Sequence, residues 1–284
     1  MITNSFSYYA PTSLADALSL LGRHGAQAAI LAGGQGLVPA MSNGEMRPAV
    51  VIDIRHLAPK LSGVTHSGAT LVIGALTTHR ALVRDATVRA VCPLLAEAAS
   101  LIGGGVQVHN KGTIGGNICH AQPNGDYLAP LVALDAQARL LSVTGERTLA
   151  VTELLASGPR PAELLTEIHV PIRDAAANSA YYKLTYSDGC YTIASAACML
   201  ERNADGTCQS VRLALGGVEP RPLHLTELEA WLTGRTIDTA TLTQVVNLAR
   251  AALTTPLHDV LADANYRRTM AGVVVKRAIV QAMQ

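Results

Sequence analysis

The groups best suited to do chemistry in this chain are backbone amides, in two glycine-rich segments roughly eighty positions apart. The first, Ala32-Gly33-Gly34-Gln35-Gly36, follows the apolar run Ala28-Ala29-Ile30-Leu31. The second, Thr113-Ile114-Gly115-Gly116-Asn117, is followed by Pro123-Asn124-Gly125-Asp126. A glycine brings its N–H against a phosphate with no side chain in between, and it accepts φ > 0 where such segments turn. Two of them in one chain point to a diphosphate held from two sides, and so to a dinucleotide. Neither fits a common nucleotide pattern. Nothing after Gly36 supplies the third glycine of G-x-G-x-x-G, and the Walker pattern lacks its Gly-Lys-Ser/Thr. Singly, each segment reads more readily as a structural turn; their pairing, which makes the demand for close backbone approach twice, brings the functional reading level with the structural one.

Asp126, ten residues past Gly116, offers a carboxylate for ribose hydroxyls, as acidic residues do in other dinucleotide sites. On local sequence alone it reads as the N-cap of a helix starting near Tyr127. The stretch Tyr181-Tyr182-Lys183-Leu184-Thr185-Tyr186, with Tyr191, holds four of the eight tyrosines. Such a cluster can flank a planar ring while the lysine fixes its edge, although exposed strands are also tyrosine-rich. Cys119-His120 resembles a metal pair, but neighbours on a strand point to opposite faces. The five cysteines form no C-x-x-C and the nine histidines no H-E-x-x-H, so the chain has no ligand set for an iron–sulfur cluster of its own. No Gly-x-Ser-x-Gly and no Ser/His/Asp arrangement is present. The residues by themselves lead to a dinucleotide-type ligand with its chemistry unassigned.

The elements that must position these groups follow from periodicity. Leu14, Ala17, Leu18 and Leu21 have helical spacing, with Thr12 or Ser13 to cap them. Ala28–Leu31 reads as a strand entering the first glycine segment and residues 50–54 as a second buried strand, a β-α-β-type unit. Residues 71–74 form another strand. Val91, Leu94, Leu95, Ala98 and Ile102 mark a helix running into Gly103-Gly104-Gly105, and residues 139–143 and 167–172 read as strands. The polar, small-residue run from Arg173 to Asn178 reads as the domain linker. Beyond it, residues 192–200 and 211–215 are strands around the turn Asn203-Ala204-Asp205-Gly206. Two helical stripes close the chain: Leu242, Val245, Val246 and Ala249, then Met270, Val273, Val274 and Ala278.

Bulk properties narrow the class. Of 284 residues, 49% are apolar and 15% charged, with 22 basic against 21 acidic side chains, and no basic tract argues for nucleic acid. The start, Met1-Ile2-Thr3-Asn4-Ser5, has neither a basic n-region nor an apolar h-region, and no apolar span reaches 18 residues. The expectation is a soluble, cytoplasmic protein.

The motifs resemble the FAD-binding (medium) subunit of the molybdenum hydroxylases, nearly end to end. Ala32-Gly33-Gly34-Gln35-Gly36-Leu37-Val38-Pro39-Ala40-Met41 is similar to that family's first flavin loop. Asn110-Lys111-Gly112-Thr113-Ile114-Gly115-Gly116-Asn117, continuing to Leu134-Asp135-Ala136, is similar to its second. Leu215-Gly216-Gly217-Val218 and Tyr266-Arg267-Arg268 resemble signatures of its C-terminal domain.

The resemblance implies an α+β protein in two parts. A two-subdomain FAD-binding domain of the vanillyl-alcohol-oxidase (PCMH) type would span 1–175, its subdomains about 1–56 and 57–175. A C-terminal flavoprotein domain, a three-stranded sheet with helices, would span 178–284. It also implies FAD as cofactor, with the pyrophosphate between the glycine segments. Ile30, Leu31, Ala32, Gly33, Gly34, Gln35, Gly36 and Leu37 would form one wall, and Thr113, Gly115, Gly116 and Asn117 the other. Gly103 would touch the adenine side and Asp126 would bind the cofactor. Leu165 and Lys183 would lie near the isoalloxazine, and Tyr191 over the ring. No catalytic acid, base or metal ligand is implied.

The implied function is electron transfer within a dimer of heterotrimers. A large molybdopterin subunit would hydroxylate the substrate, and a small subunit with two [2Fe–2S] clusters would pass electrons here, for delivery to NAD⁺, a quinone or another acceptor. Four positions depart from the family pattern: Gly36 for a serine, His109 for an arginine, Tyr186 for a basic residue and Cys190 for an acidic one. The changes at Tyr186 and Cys190 leave room for an alternative, a stand-alone FAD-dependent oxidase or dehydrogenase acting directly on a small organic substrate.

Overall fold

The computed structural model describes residue 2, residues 4–173 and residues 178–284; the expected linker falls largely on residues 174–177, outside them. The chain forms two compact units. The first comprises Met1–Leu82, Gly105–His120 and Ala136–Val170, the second Val83–Gly104, Ala121–Asp135 and Pro171–Gln284.

The first unit opens with β1 (Ser7–Tyr9), β2 (Ala28–Leu31) and β3 (Val50–Asp53), parallel and in the order β1-β3-β2. The helix Leu14–His24 is the crossover between β1 and β2. Ser13 caps it by accepting from the Asp16 N–H at 3.1 Å, and its spacing buries Ala17 and Leu21 in one cluster with Val50, Ile52 and Leu57. Each Leu or Ile so buried contributes about 1.5–3 kcal/mol. The β-α-β reading therefore holds, with β1 added on the far side of β3. Because Leu31 pairs with Asp53, the first glycine segment leaves from the carboxyl edge of this small sheet, the edge where parallel sheets receive ligands.

That edge also holds a carboxylate cluster. Asp53, 1% exposed, accepts from Arg55 Nε at 2.9 Å, Arg55 Nη2 at 2.5 Å and Tyr8 Oη at 2.5 Å. Burial by itself would push this carboxyl up, but the guanidinium and the hydroxyl outweigh it and hold the group at about 2. A depressed carboxyl stabilises the fold fully above its ordinary value near 3.8, and that contribution is lost as pH falls through about 2. Arg55→Ala should therefore lower the melting temperature most at neutral pH. The gap between variant and parent should close below pH 2; a gap independent of pH would assign Arg55 no role in holding Asp53.

The same unit contains β4 (Val64–Ser67), β5 (Thr70–Gly74), β6 (Gln137–Ser142), β7 (Gly145–Ala150) and β8 (Leu164–Pro171), ordered β4-β5-β8-β6-β7. β4 and β7 have no counterpart in the periodicity reading. Both are largely exposed hairpin partners, so no apolar alternation marks them.

The second unit is built on β9 (Ser179–Thr185), β10 (Thr192–Arg202), β11 (Cys208–Gly216) and the two-residue β12 (Leu223–His224), antiparallel in the order β12-β11-β10-β9. Residues 192–200 are buried without interruption. One face carries Ala194, Ala196, Cys198 and Leu200 into a core with Val274, Val275, Ala278 and Ile279 of the helix Ala264–Ala282. On the other, Ser195 lies beside Gly216 and Ala129. Cover on both faces explains why small and apolar residues fill both sides of this strand with no regular polar alternation. The helix expected over 91–102 is two helices, Ala86–Val91 and Pro93–Ser100, broken at Cys92, which precedes a proline and cannot stay helical. Among the described residues no helix is long and apolar enough to cross a membrane.

Candidate functional site

Within the first unit the two glycine segments meet directly. A Cβ on Gly33 would lie 2.0 Å from the Lys111 carbonyl oxygen and 2.9 Å from Gly112 Cα, so only glycine lets the backbones pack this closely. Gly34 follows at φ +74°, turning the chain before the short helix Leu37–Ser42. Gln35 steadies the turn by donating from Nε2 to the Gly33 carbonyl at 3.1 Å. The backbone N–H groups of Gly34, Gln35 and Gly36 donate to no acceptor among the described residues. Consecutive unpaired amides around a residue at positive φ form a concavity that attracts an anion. The His120 ring lies against Gly36, 2.8 Å from where a Cβ would sit, so it occupies the space a serine side chain there would need.

The second segment differs from its expectation as a loop. Residues Ile114–His120 are helical, and Thr113 initiates the helix by accepting the Gly116 N–H on Oγ1 at 3.1 Å. The Ile114 and Gly115 amides are used internally, donating to Thr77 O at 3.0 Å and Ala75 O at 2.9 Å. Gly115 cannot carry a side chain, because its Cβ would meet Ala75 at 2.7 Å. The segment is thus a close-packed wall rather than a second set of free amides. It does hold one unspent polar atom, Asn117 Oδ1, buried and without a hydrogen-bond partner among the described residues. Cys119 and His120 lie on this helix and not on a strand.

The second unit gathers Asp126, Lys183, Tyr181 and Thr192. Asp126 is 5% exposed. Its Oδ2 accepts from Lys183 Nζ at 2.9 Å, and its Oδ1 from Thr192 Oγ1 at 2.8 Å and Tyr181 Oη at 3.0 Å. Burial pushes this carboxyl up, and the Lys183 ammonium with the two hydroxyls pulls it back. Lys183 also donates to the Leu101 carbonyl at 2.8 Å. The N-cap reading of Asp126 is corrected: the helix Leu128–Ala133 starts behind Tyr127 with no side-chain cap, because the Asp126 oxygens are engaged by β9 and β10. The tyrosine cluster is corrected too. Tyr181 is buried, its hydroxyl on Asp126, while Tyr186 and Tyr191 are 87% and 69% exposed and offer aromatic surface.

Of the remaining expected positions, Ile30 and Leu31 end β2, and Ala32 and Leu37 flank the glycine turn. Leu165 lies in β8 opposite Leu140, its side chain spent on the core. Gly103 packs on the Gly189 backbone, where a Cβ would come within 2.4 Å of the carbonyl. Sequence reasoning missed Thr192 and His79. The buried His79 ring sits under Gly112, its backbone N–H donates to the Gly112 carbonyl, and burial, then the nearby His109, lowers its pKa to about 4. No local pattern marks either residue; only the contact across the fold does.

Comparison with known proteins places the chain in a family. Residues 4–173 match the family described as the FAD binding domain in molybdopterin dehydrogenase, and residues 179–282 the CO dehydrogenase flavoprotein C-terminal domain. The chain is 36% identical to the carbon monoxide dehydrogenase medium chain of Hydrogenophaga pseudoflava, over 98% of this chain and 97% of that one. It is 32% identical to subunit alpha of the 6-hydroxypseudooxynicotine dehydrogenase complex of Paenarthrobacter nicotinovorans, over 98% and 95%. A solved structure of carbon monoxide dehydrogenase from Hydrogenophaga pseudoflava superposes with a TM-score of 0.93 at 37% identity, covering 100% of this chain and 99% of that one.

Proposed function

We propose a role that starts from the family: this chain belongs to the FAD-binding medium subunits of the molybdenum hydroxylases, and within such an oxidoreductase complex it carries electrons. The observation that supports the reading best is the unpaired amide run Gly34-Gln35-Gly36, held against the second glycine segment by the Gly33 contact with Lys111. These residues fit a dinucleotide diphosphate. The amides would hold its oxygens, and Asn117 Oδ1 would accept from a hydroxyl or amide of the same ligand. Asp126, Lys183 and Tyr191 stand as further cofactor-binding positions on the family resemblance. FAD, when bound, supplies redox chemistry in one- and two-electron steps. This chain's own residues need move no proton on an organic substrate; they bind, orient and shield.

In this reading the chain takes electrons from the [2Fe–2S] clusters of a small partner subunit and passes them to NAD⁺, a quinone or another acceptor. A large molybdopterin subunit hydroxylates the substrate, and the three assemble as a dimer of heterotrimers in the cytoplasm. Stopped-flow reduction tests it. The full chain loaded with FAD should hold about one flavin without a covalent bond, released on acid precipitation, as the family match leads one to expect. Its flavin absorbance should bleach when a reduced iron–sulfur partner is added and stay unchanged with small organic substrates alone. Rapid bleaching by such a substrate, with this chain alone in the cuvette, would establish the stand-alone dehydrogenase instead.

A further inference from the structure

Arg267 is the largest fully buried side chain described, 1% exposed on the helix Ala264–Ala282. Its Nη1 donates to two backbone carbonyls, Ile193 on β10 and Gly217 just past β11, and its Nη2 to Asp259 Oδ1 at 2.5 Å. Its Nε–H finds no partner among the described residues. A buried cation with one donor unspent is a poor choice for stability alone, since an apolar residue of similar volume often serves as well or better. What the guanidinium does is fix two strand ends. Ile193 follows Thr192, whose hydroxyl donates to Asp126. Gly217, at φ +73°, packs on Thr192 and Ile193, and its N–H donates to the Pro123 carbonyl at 3.0 Å, three residues before Asp126. The strand end that carries Thr192 and the turn that carries Asp126 therefore converge on one side chain.

We infer that Arg267 is a positioning residue for the cofactor site, holding Thr192 and the Pro123–Asp126 turn in register through the Ile193 and Gly217 carbonyls. The inference rests on the reading that Asp126 binds FAD. The test measures FAD affinity of the full chain and the visible circular dichroism of the bound flavin in Arg267→Lys, Thr192→Val and the double variant, with apo-chain melting as a control. Lysine keeps the charge but cannot span both carbonyls and Asp259 in one plane. Arg267→Lys should weaken FAD binding on the order of tenfold, the scale of a lost charge-assisted hydrogen bond, and alter the dichroism. The double variant should bind no more weakly than the worse single one, because both act through the same carboxyl. Additive losses, or unchanged affinity in Arg267→Lys, would overturn the inference. If Arg267→Lys does not fold, Thr192→Val, which removes the hydroxyl that Arg267 is inferred to hold in register on Asp126, must still weaken FAD binding and alter the dichroism, and unchanged affinity there overturns it. A parent chain that takes up no FAD overturns the functional reading, and this inference with it.

Discussion

Gly33→Ala is expected to abolish measurable FAD uptake. The added methyl would stand 2.0 Å from the Lys111 carbonyl oxygen and 2.7 Å from its carbon, both backbone atoms that no rotamer change can move aside. The two glycine segments must then separate, and the amides of Gly34, Gln35 and Gly36 lose the alignment that lets them share one anion. Gly116→Ala makes the informative contrast. There the methyl meets only the Thr113 hydroxyl, at 2.9 Å, and the residue is already helical, so its loss of affinity should be several-fold smaller. Flavin fluorescence titration of the two variants beside the parent gives the answer. Equal affinities in Gly33→Ala and the parent would mean that the diphosphate is not gripped where the segments meet.

Asp126→Asn should be strongly destabilising. It removes the charge opposite a lysine whose side chain is 5% exposed, and leaves that ammonium with neutral acceptors only, the Leu101 carbonyl among them. Stranding one member of a buried pair costs about 3–5 kcal/mol. The partner change carries the logic further. Asp126→Asn with Lys183→Met removes both charges and should recover much of the stability but none of the flavin affinity. Urea unfolding with FAD titration on the same samples separates the two effects. Full recovery of affinity in the double variant would make the pair purely structural.

The position of Asp126 shows how far local sequence carries. Its neighbours Pro123, Asn124 and Gly125 describe a turn before a helix, and an N-cap is the local solution to that pattern. The carboxylate instead serves residues 55, 57 and 66 positions away in the chain, on β9 and β10. Partners that distant leave no spacing in the sequence to read. The second glycine segment shows the same limit. Glycine at 115 and 116 signalled close approach, but whether to a ligand or to Ala75 depended on where residues 75–79 pass.

Sequence by itself determined the main core strands and helical stripes and the resemblance to the family. Period-3.6 stripes, the strand-like small and apolar residues at 192–200 and the two glycine-rich motifs are local or composition-borne signals, so they survive without coordinates. Only the tertiary structure decided which polar groups are spent and which are left over. It engages the Ile114 and Gly115 amides while leaving those of Gly34, Gln35 and Gly36 unpaired, and it brings Arg267 beneath the strand ends that carry Thr192 and Gly217. The reason is physical. A buried hydrogen-bonding group takes whatever partner the packing brings within about 3 Å, and packing is set by the whole chain at once.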